Sequence, residues 1–151
     1  MNEKEWKIIS HLRKDAQCSL ASISANTNIP ISTVHDKTKK LQKDNTITRY
    51  TTLVDFKRLG FHYHTKIAIQ ISHHQRDDFL LYLKTRNCIN SLFEVNGGFD
   101  VMIETLHRDI KEHLVFMEEL HEAFEIIETK EFQIINPVLQ ESFNYHPNIH
   151  R

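Results

Sequence analysis

Residues Ser19–Asp44 read SLASISANTNIPISTVHDKTKKLQKD, two short helical patterns around a polar turn, and this stretch decides the N-terminal fold. Ser19 is placed to cap a helix carrying Leu20, Ala21 and Ile23. Residues Asn26–Pro30 form a turn by composition, because Asn tolerates left-handed backbone and the residue before a proline avoids the helical region. Ser32 is expected to cap the next helix, running to about Asp44, with Val34, Thr38 and Leu41 as its apolar stripe at i, i+4 and i+7. Its opposite side displays Thr33, His35, Asp36, Lys37, Lys39, Lys40 and Lys43. Two short helices with a tight turn, the second basic and opened by small hydroxyl residues, match a helix-turn-helix.

On the N-terminal side, Trp6, Ile8, Ile9 and Leu12 recur at helical spacing and predict a first helix over Glu3–Lys14. On the other side, Asn45 stands where a helix end favours positive φ. Thr46–Val54 then alternates in β-rich composition and predicts a two-stranded wing. The basic helix can therefore enter a major groove through Ser32, Thr33 and His35, while Lys37, Lys39, Lys40 and the wing residue Arg49 reach phosphates.

Charge supports this division. The net charge of −1 over 151 residues conceals eleven Lys+Arg against six acids in residues 1–60, and eight against fourteen in 61–151. A basic module for a polyanion is joined to an acidic module with another task. The expected domains are 1–60, a winged helix-turn-helix with its wing and linker, and 61–151, a second module with a C-terminal tail.

That second module alternates strand and helix. Strands are expected over Tyr63–Ser72, Ile89–Val95, Asp100–Leu106 and Ile126–Ile135, and helices over Gln75–Arg86 and from Ile110 towards Phe124. Asn96-Gly97-Gly98-Phe99 connects the middle strands as a hairpin. The order β-α-β-β-α-β is the ferredoxin-like arrangement, making the whole chain α+β. Two helices cover one sheet face, so the face bearing His64, Ala68 and Gln70 is left bare and calls for a partner, most simply a second copy.

Several chemistries are excluded or disfavoured. Three glycines cannot supply a Gly-rich phosphate loop, and no apolar run is long enough for a membrane helix. The start MNEKEWK has no apolar signal core, and Cys18 and Cys88 stand alone, so a cytoplasmic chain with reduced thiols is expected. Eleven histidines raise the question of metal binding, with His62 and His64 on one strand face and Glu118, His121 and Glu125 on one helix face. Neither set supplies three ligands from elements the fold clearly gathers, so no metal and no cofactor are expected.

Three segments, in order, resemble the Lrp/AsnC family of transcription regulators. They are Glu5–Asp15, similar to the family's D-x-x-I-L-x-x-L-x-x-D; Ile31–Leu41 with Asn45–Tyr50; and Val95–Asp100, similar to its V-x-G-x-x-D hairpin. Glu5 replaces the usual Asp, Asn45 the usual Gly and Gln17 a frequent Arg, and Glu94 is unusual beside the hairpin. The resemblance implies a dimer formed through the sheets, assembly into octamers or other higher rings, and an amino-acid effector held between dimers. By position it places Gly97, Asp100, Phe132, Gln133 and Ile134 at that effector. If Glu94 faces the same cleft, its carboxylate favours a basic amino acid. Two alternatives remain: a ligand-free DNA-organising regulator, and a tetrapyrrole (sirohaem) decarboxylase of the same architecture using His62, His64 and Arg108. The four lysines of the basic helix, and the lack of any nucleophile–base pattern, favour the regulator, a non-enzyme that binds double-stranded DNA.

Overall fold

The computed structural model describes residues 1–144; the end of the expected tail, 145–151, lies outside the described residues. The chain divides into two compact units, one comprising Met1–Leu53 with the segment from Val138 onward, the other Val54–Pro137.

The first unit holds α1 (Glu3–Lys14), α2 (Leu20–Thr27) and α3 (Ile31–Lys43). Asn2 and Glu5 close a reciprocal capping box at the start of α1. Ser19 caps α2 by accepting from Ser22 N–H, and Asn28 ends that helix in left-handed backbone at φ 56°. Ile8, Ile23, Ile29 and Val34 form the buried core, one contribution from each helix and one from the turn. Asn45 takes φ 59°, letting Ile47 N–H close on the Leu41 carbonyl at 2.8 Å.

Two expectations fail here. α3 begins two residues earlier than a Ser32 cap allows, because Pro30, with φ already at −52°, serves as its N-cap and Ser32 becomes the second helical residue. The expected wing is not a pair of strands either. Thr46–Val54 joins no ladder, and every residue from Thr48 to Asp55 is exposed. A two-stranded ribbon with no buried face has little to hold its pairing together.

The second unit contains β1 (Tyr63–Ile71), α4 (Arg76–Lys84, entered through a 3₁₀ turn at His73–Gln75), β2 (Ile89–Glu94), β3 (Val101–His107), α5 (Ile110–Ala123) and β4 (Ile126–Gln133). The sheet order is β2-β3-β1-β4, and all pairs are antiparallel. Ile67, Ile69, Ile71, Val101 and Ile103 pack against Phe79 and Leu83 of α4 and Phe116, Met117 and Leu120 of α5. Both helices therefore lie on the face those strand residues share. The other face carries His64, Lys66, Ala68 and Gln70 of β1, with Met102, Glu104 and Leu106 opposite them on β3. Phe93 and Phe132 stand on that uncovered face and are half exposed.

Candidate nucleic-acid interface and ligand hairpin

In α3, the buried stripe Val34, Thr38 and Leu41 turns a defined opposite side outward. Ser32, Asp36, Lys39 and Lys43 follow one another at i, i+4, i+7 and i+11 along that side, and all are exposed. His35 is exposed beside them, its Nδ1 3.2 Å from Asp36 Oδ1, whereas Thr33 is half-buried. Arg49 is exposed in the irregular segment that follows the helix.

Lys37 and Lys40 differ from the other two lysines. Their ammonium groups donate to one oxygen, Glu5 Oε1, at 3.1 and 3.4 Å. Glu5 is 3% exposed, and its other oxygen accepts Asn2 N–H at 2.9 Å. The Asn2 N–H foremost, then the two ammonium groups, hold the Glu5 carboxyl down to about 2. Sequence reasoning missed Glu5 as part of this surface. The signal available was the N-cap pattern Asn2-x-x-Glu5, which fixes where that carboxylate sits.

In the second unit, the hairpin between β2 and β3 turns through Gly97 and Gly98 at φ 95° and 99°, values that side chains resist. Val95 N–H closes it on the Asp100 carbonyl at 3.0 Å. Asp100 is also tied to β1: its N–H donates to the Ile69 carbonyl, and its Oδ2 accepts Ile71 N–H, both at 3.0 Å. Beside the hairpin, on the uncovered sheet face, Ala68, Glu94, Val95, Asn96, Phe99 and Met102 line a hollow of about 520 Å³.

Glu94 lies opposite Val101, on the same side of β2 as Leu92, and reaches the rim of this hollow while its Oε1 is 3.3 Å from Arg76 Nη2 of α4. Phe132, on the other hand, lies on the uncovered face with Lys130 Nζ 5.4 Å from its ring centre. Gln133 pairs with Thr65 on the helix side, and Ile134 N–H continues the ladder to the His64 carbonyl at 2.8 Å.

A second site was missed altogether. Glu104 is 9% exposed on the uncovered face and accepts from His64 at 2.6 Å, Ser91 at 2.9 Å and Asn90 at 3.0 Å. Burial opposes its charge, but Asn90, His64 and Ser91 outweigh burial and bring its pKa below the ordinary carboxylate value. The edge of Phe56 packs on His64 at 5.7 Å. A lone carboxylate inside the strand pattern VMIETL was the readable signal. Among the described residues no three His, Cys, Asp or Glu side chains could hold one metal ion.

The first 48 residues match a family model described as a winged helix-turn-helix DNA-binding domain. Over 118 residues the chain is 25% identical to the HTH-type transcriptional regulator FL11 of Pyrococcus abyssi, covering 78% of each protein. It is 24% identical over 113 residues to the HTH-type transcriptional regulator LrpB of Bacillus subtilis, covering 74% of this chain and 76% of that one. Among solved structures, E. coli AsnC superposes with a TM-score of 0.83 at 18% identity, over 96% of this chain and 99% of that one. A Neisseria meningitidis transcriptional regulator in complex with L-Met superposes with a TM-score of 0.86 at 14% identity, over 98% and 97%. Residues 1–48 are thus a winged helix-turn-helix DNA-binding domain, and the whole chain is similar to HTH-type transcriptional regulators and shares the fold of E. coli AsnC.

Proposed function

We propose that the protein regulates transcription as a dimer, and as a higher assembly of dimers, whose grip on DNA responds to a small molecule such as an amino acid. The observation that carries this reading is the hollow beside the Val95–Asp100 hairpin, opening on a sheet face that no helix covers. Exposed Phe93 and Phe132 on that face favour burial against a second copy of the sheet. In the hollow, residues Val95, Phe99 and Met102 offer apolar surface to a side chain. The L-Met complex of the Neisseria neighbour supports an amino acid as the class to screen first.

Within this reading the N-terminal unit binds duplex DNA through α3 and the chain after it. Ser32, Thr33 and His35 lie where a groove is entered, and Lys39, Lys40 and Arg49 supply phosphate contacts. The protein so described is a cytoplasmic regulator and not an enzyme. His64 is committed to Glu104, Arg108 reaches towards Glu112 at 3.9 Å, and His62 is exposed, so these three side chains are not gathered on one substrate.

Thermal denaturation with each of the twenty amino acids tests the effector, since a ligand at 100 times its Kd adds about 2.7 kcal/mol. An upward shift for one amino acid, weakened in Met102→Glu, is expected. No shift for any of them leaves the ligand-free regulator as the better account. Sedimentation at micromolar protein is expected to show dimers or larger species; monomers alone would contradict the role given to the uncovered sheet face.

A further inference from the structure

The geometry points to Glu5 as a positioning residue for DNA binding: its carboxylate draws Lys37 inward and shares Lys40, so that the α3 lysines wholly free for phosphate are those of the outward row, Lys39 and Lys43. This rests on α3 being the helix that faces DNA.

Each oxygen of Glu5 has a separate task. Oε2 closes the capping box on Asn2 N–H, which fixes the carboxylate against the first turn of α1. Oε1 is thereby left facing α3, where it accepts both Lys37 and Lys40. The two lysines are about one helical turn apart, so a single acceptor bridges them and sets how α3 is rotated against α1. Lys37 is the inner of the two, its side chain 21% exposed against 67% for Lys40. Lys37 thus has a short, screened contact to a carboxylate that no water route replaces cheaply. Lys40 can exchange Glu5 for a phosphate at little cost, because its ammonium is already largely hydrated.

Lys39 and Lys43 are exposed, and neither forms an ion pair among the described residues. They follow Ser32 and Asp36 along one line of the helix, opposite Val34, Thr38 and Leu41. A helix laid in a groove along that line presents Ser32 at its entering end and two unpaired ammonium groups further back. By composition all four lysines are equivalent phosphate ligands; the position of Glu5 separates them into one internal, one shared and two free.

The test is the salt dependence of binding to mixed-sequence duplex DNA, measured on the full chain. Each phosphate that is no longer neutralised reduces the slope of log K against log[salt] by about 0.9. Lys39→Ala and Lys43→Ala are each expected to reduce it by about that much. Lys37→Ala is expected to leave the slope unchanged, while lowering affinity by the same factor at every salt concentration. Glu5→Gln, which releases Lys37, is expected to steepen the slope. A Lys37→Ala slope reduced as far as that of Lys39→Ala overturns the assignment while leaving α3 as the DNA helix. Unchanged slopes in Lys39→Ala and Lys43→Ala overturn both. Should Lys37→Ala or Glu5→Gln fail to fold, lysine ammonium resonances of the unaltered protein decide: DNA is expected to shift those of Lys39 and Lys43 and to leave that of Lys37 in place, and the reverse pattern refutes the proposal.

Discussion

Each unit of the protein encloses one carboxylate, and the two are compensated by different chemistry. Glu5 in the helical unit is held by a capping N–H and the ammonium groups of two lysines. Glu104 in the sheet unit is held by the Asn90 amide, the Ser91 hydroxyl and the His64 ring. The helical unit carries its compensation on the element proposed to face DNA, so stability and the proposed DNA contact draw on the same side chains. The sheet unit carries it on the face proposed to meet a second copy, where a polar group without a partner is most costly. An enclosed charge therefore tells little until its partner is known.

The largest expected effect breaks the second arrangement. Glu104→Ala leaves three donors without their shared acceptor and is expected to lower stability by roughly 2–3 kcal/mol in urea unfolding. If it costs under about 0.5 kcal/mol, typical of an open surface position, the network is not enclosed. Glu5→Ala removes the capping box and the lysine bridge and is expected to cost about 1–2 kcal/mol, most of it through the cap because Lys40 is largely hydrated. A turn in left-handed backbone is a smaller matter: Gly97→Ala, at φ 95°, is expected to cost about 1 kcal/mol.

Acid sharpens the comparison. Burial foremost, then the neighbouring His113, lowers the His107 pKa below 6.5. The unfolded chain therefore takes up that proton first, so stability is full above about 6.5 and falls as pH drops towards the lowered value. Glu5 behaves differently, with its folded pKa near 2 and its ordinary value at 4.5. Its contribution is present above about 4.5 and is lost only as pH falls from there towards 2. Glu104, also lowered, loses its contribution below the same ordinary value. From neutral pH to pH 5, hydrogen-exchange protection corrected for the intrinsic rate at each pH is expected to fall in β3 and α5 before it falls in α1–α3. His107→Phe is expected to flatten that early loss, and simultaneous opening of both units at all pH values would refute the distinction.

Much of the fold was legible because local signals agreed with the tertiary outcome. The α1 boundaries follow from the period of Trp6, Ile8, Ile9 and Leu12, and Asn28 and Asn45 both take the positive φ their positions required. Strand alternation located β1 to β4 to within two residues at their ends. The wing was misread because alternation in Thr46–Val54 records β propensity, while pairing needs a partner surface that one segment cannot display. The site was less legible than the fold. Periodicity separates the inner from the outer side of α3, but Lys37 sits on the flank, and its direction depends on Glu5, thirty-two residues earlier. Glu94 was correctly grouped with Leu92, but alternation alone does not say which face of the sheet the helices cover.

Two units are proposed to work as one regulator, the first reading DNA and the second joining copies and sensing a ligand. Selection of bound fragments from the source genome by the full-length protein, with and without amino acids, tests this most directly. The expected result is a recurring twofold-symmetric site with half-sites about one helical turn or a multiple apart, and occupancy that changes with an amino acid. Fragments recovered in proportion to their abundance, with no shared site under any condition, would contradict it.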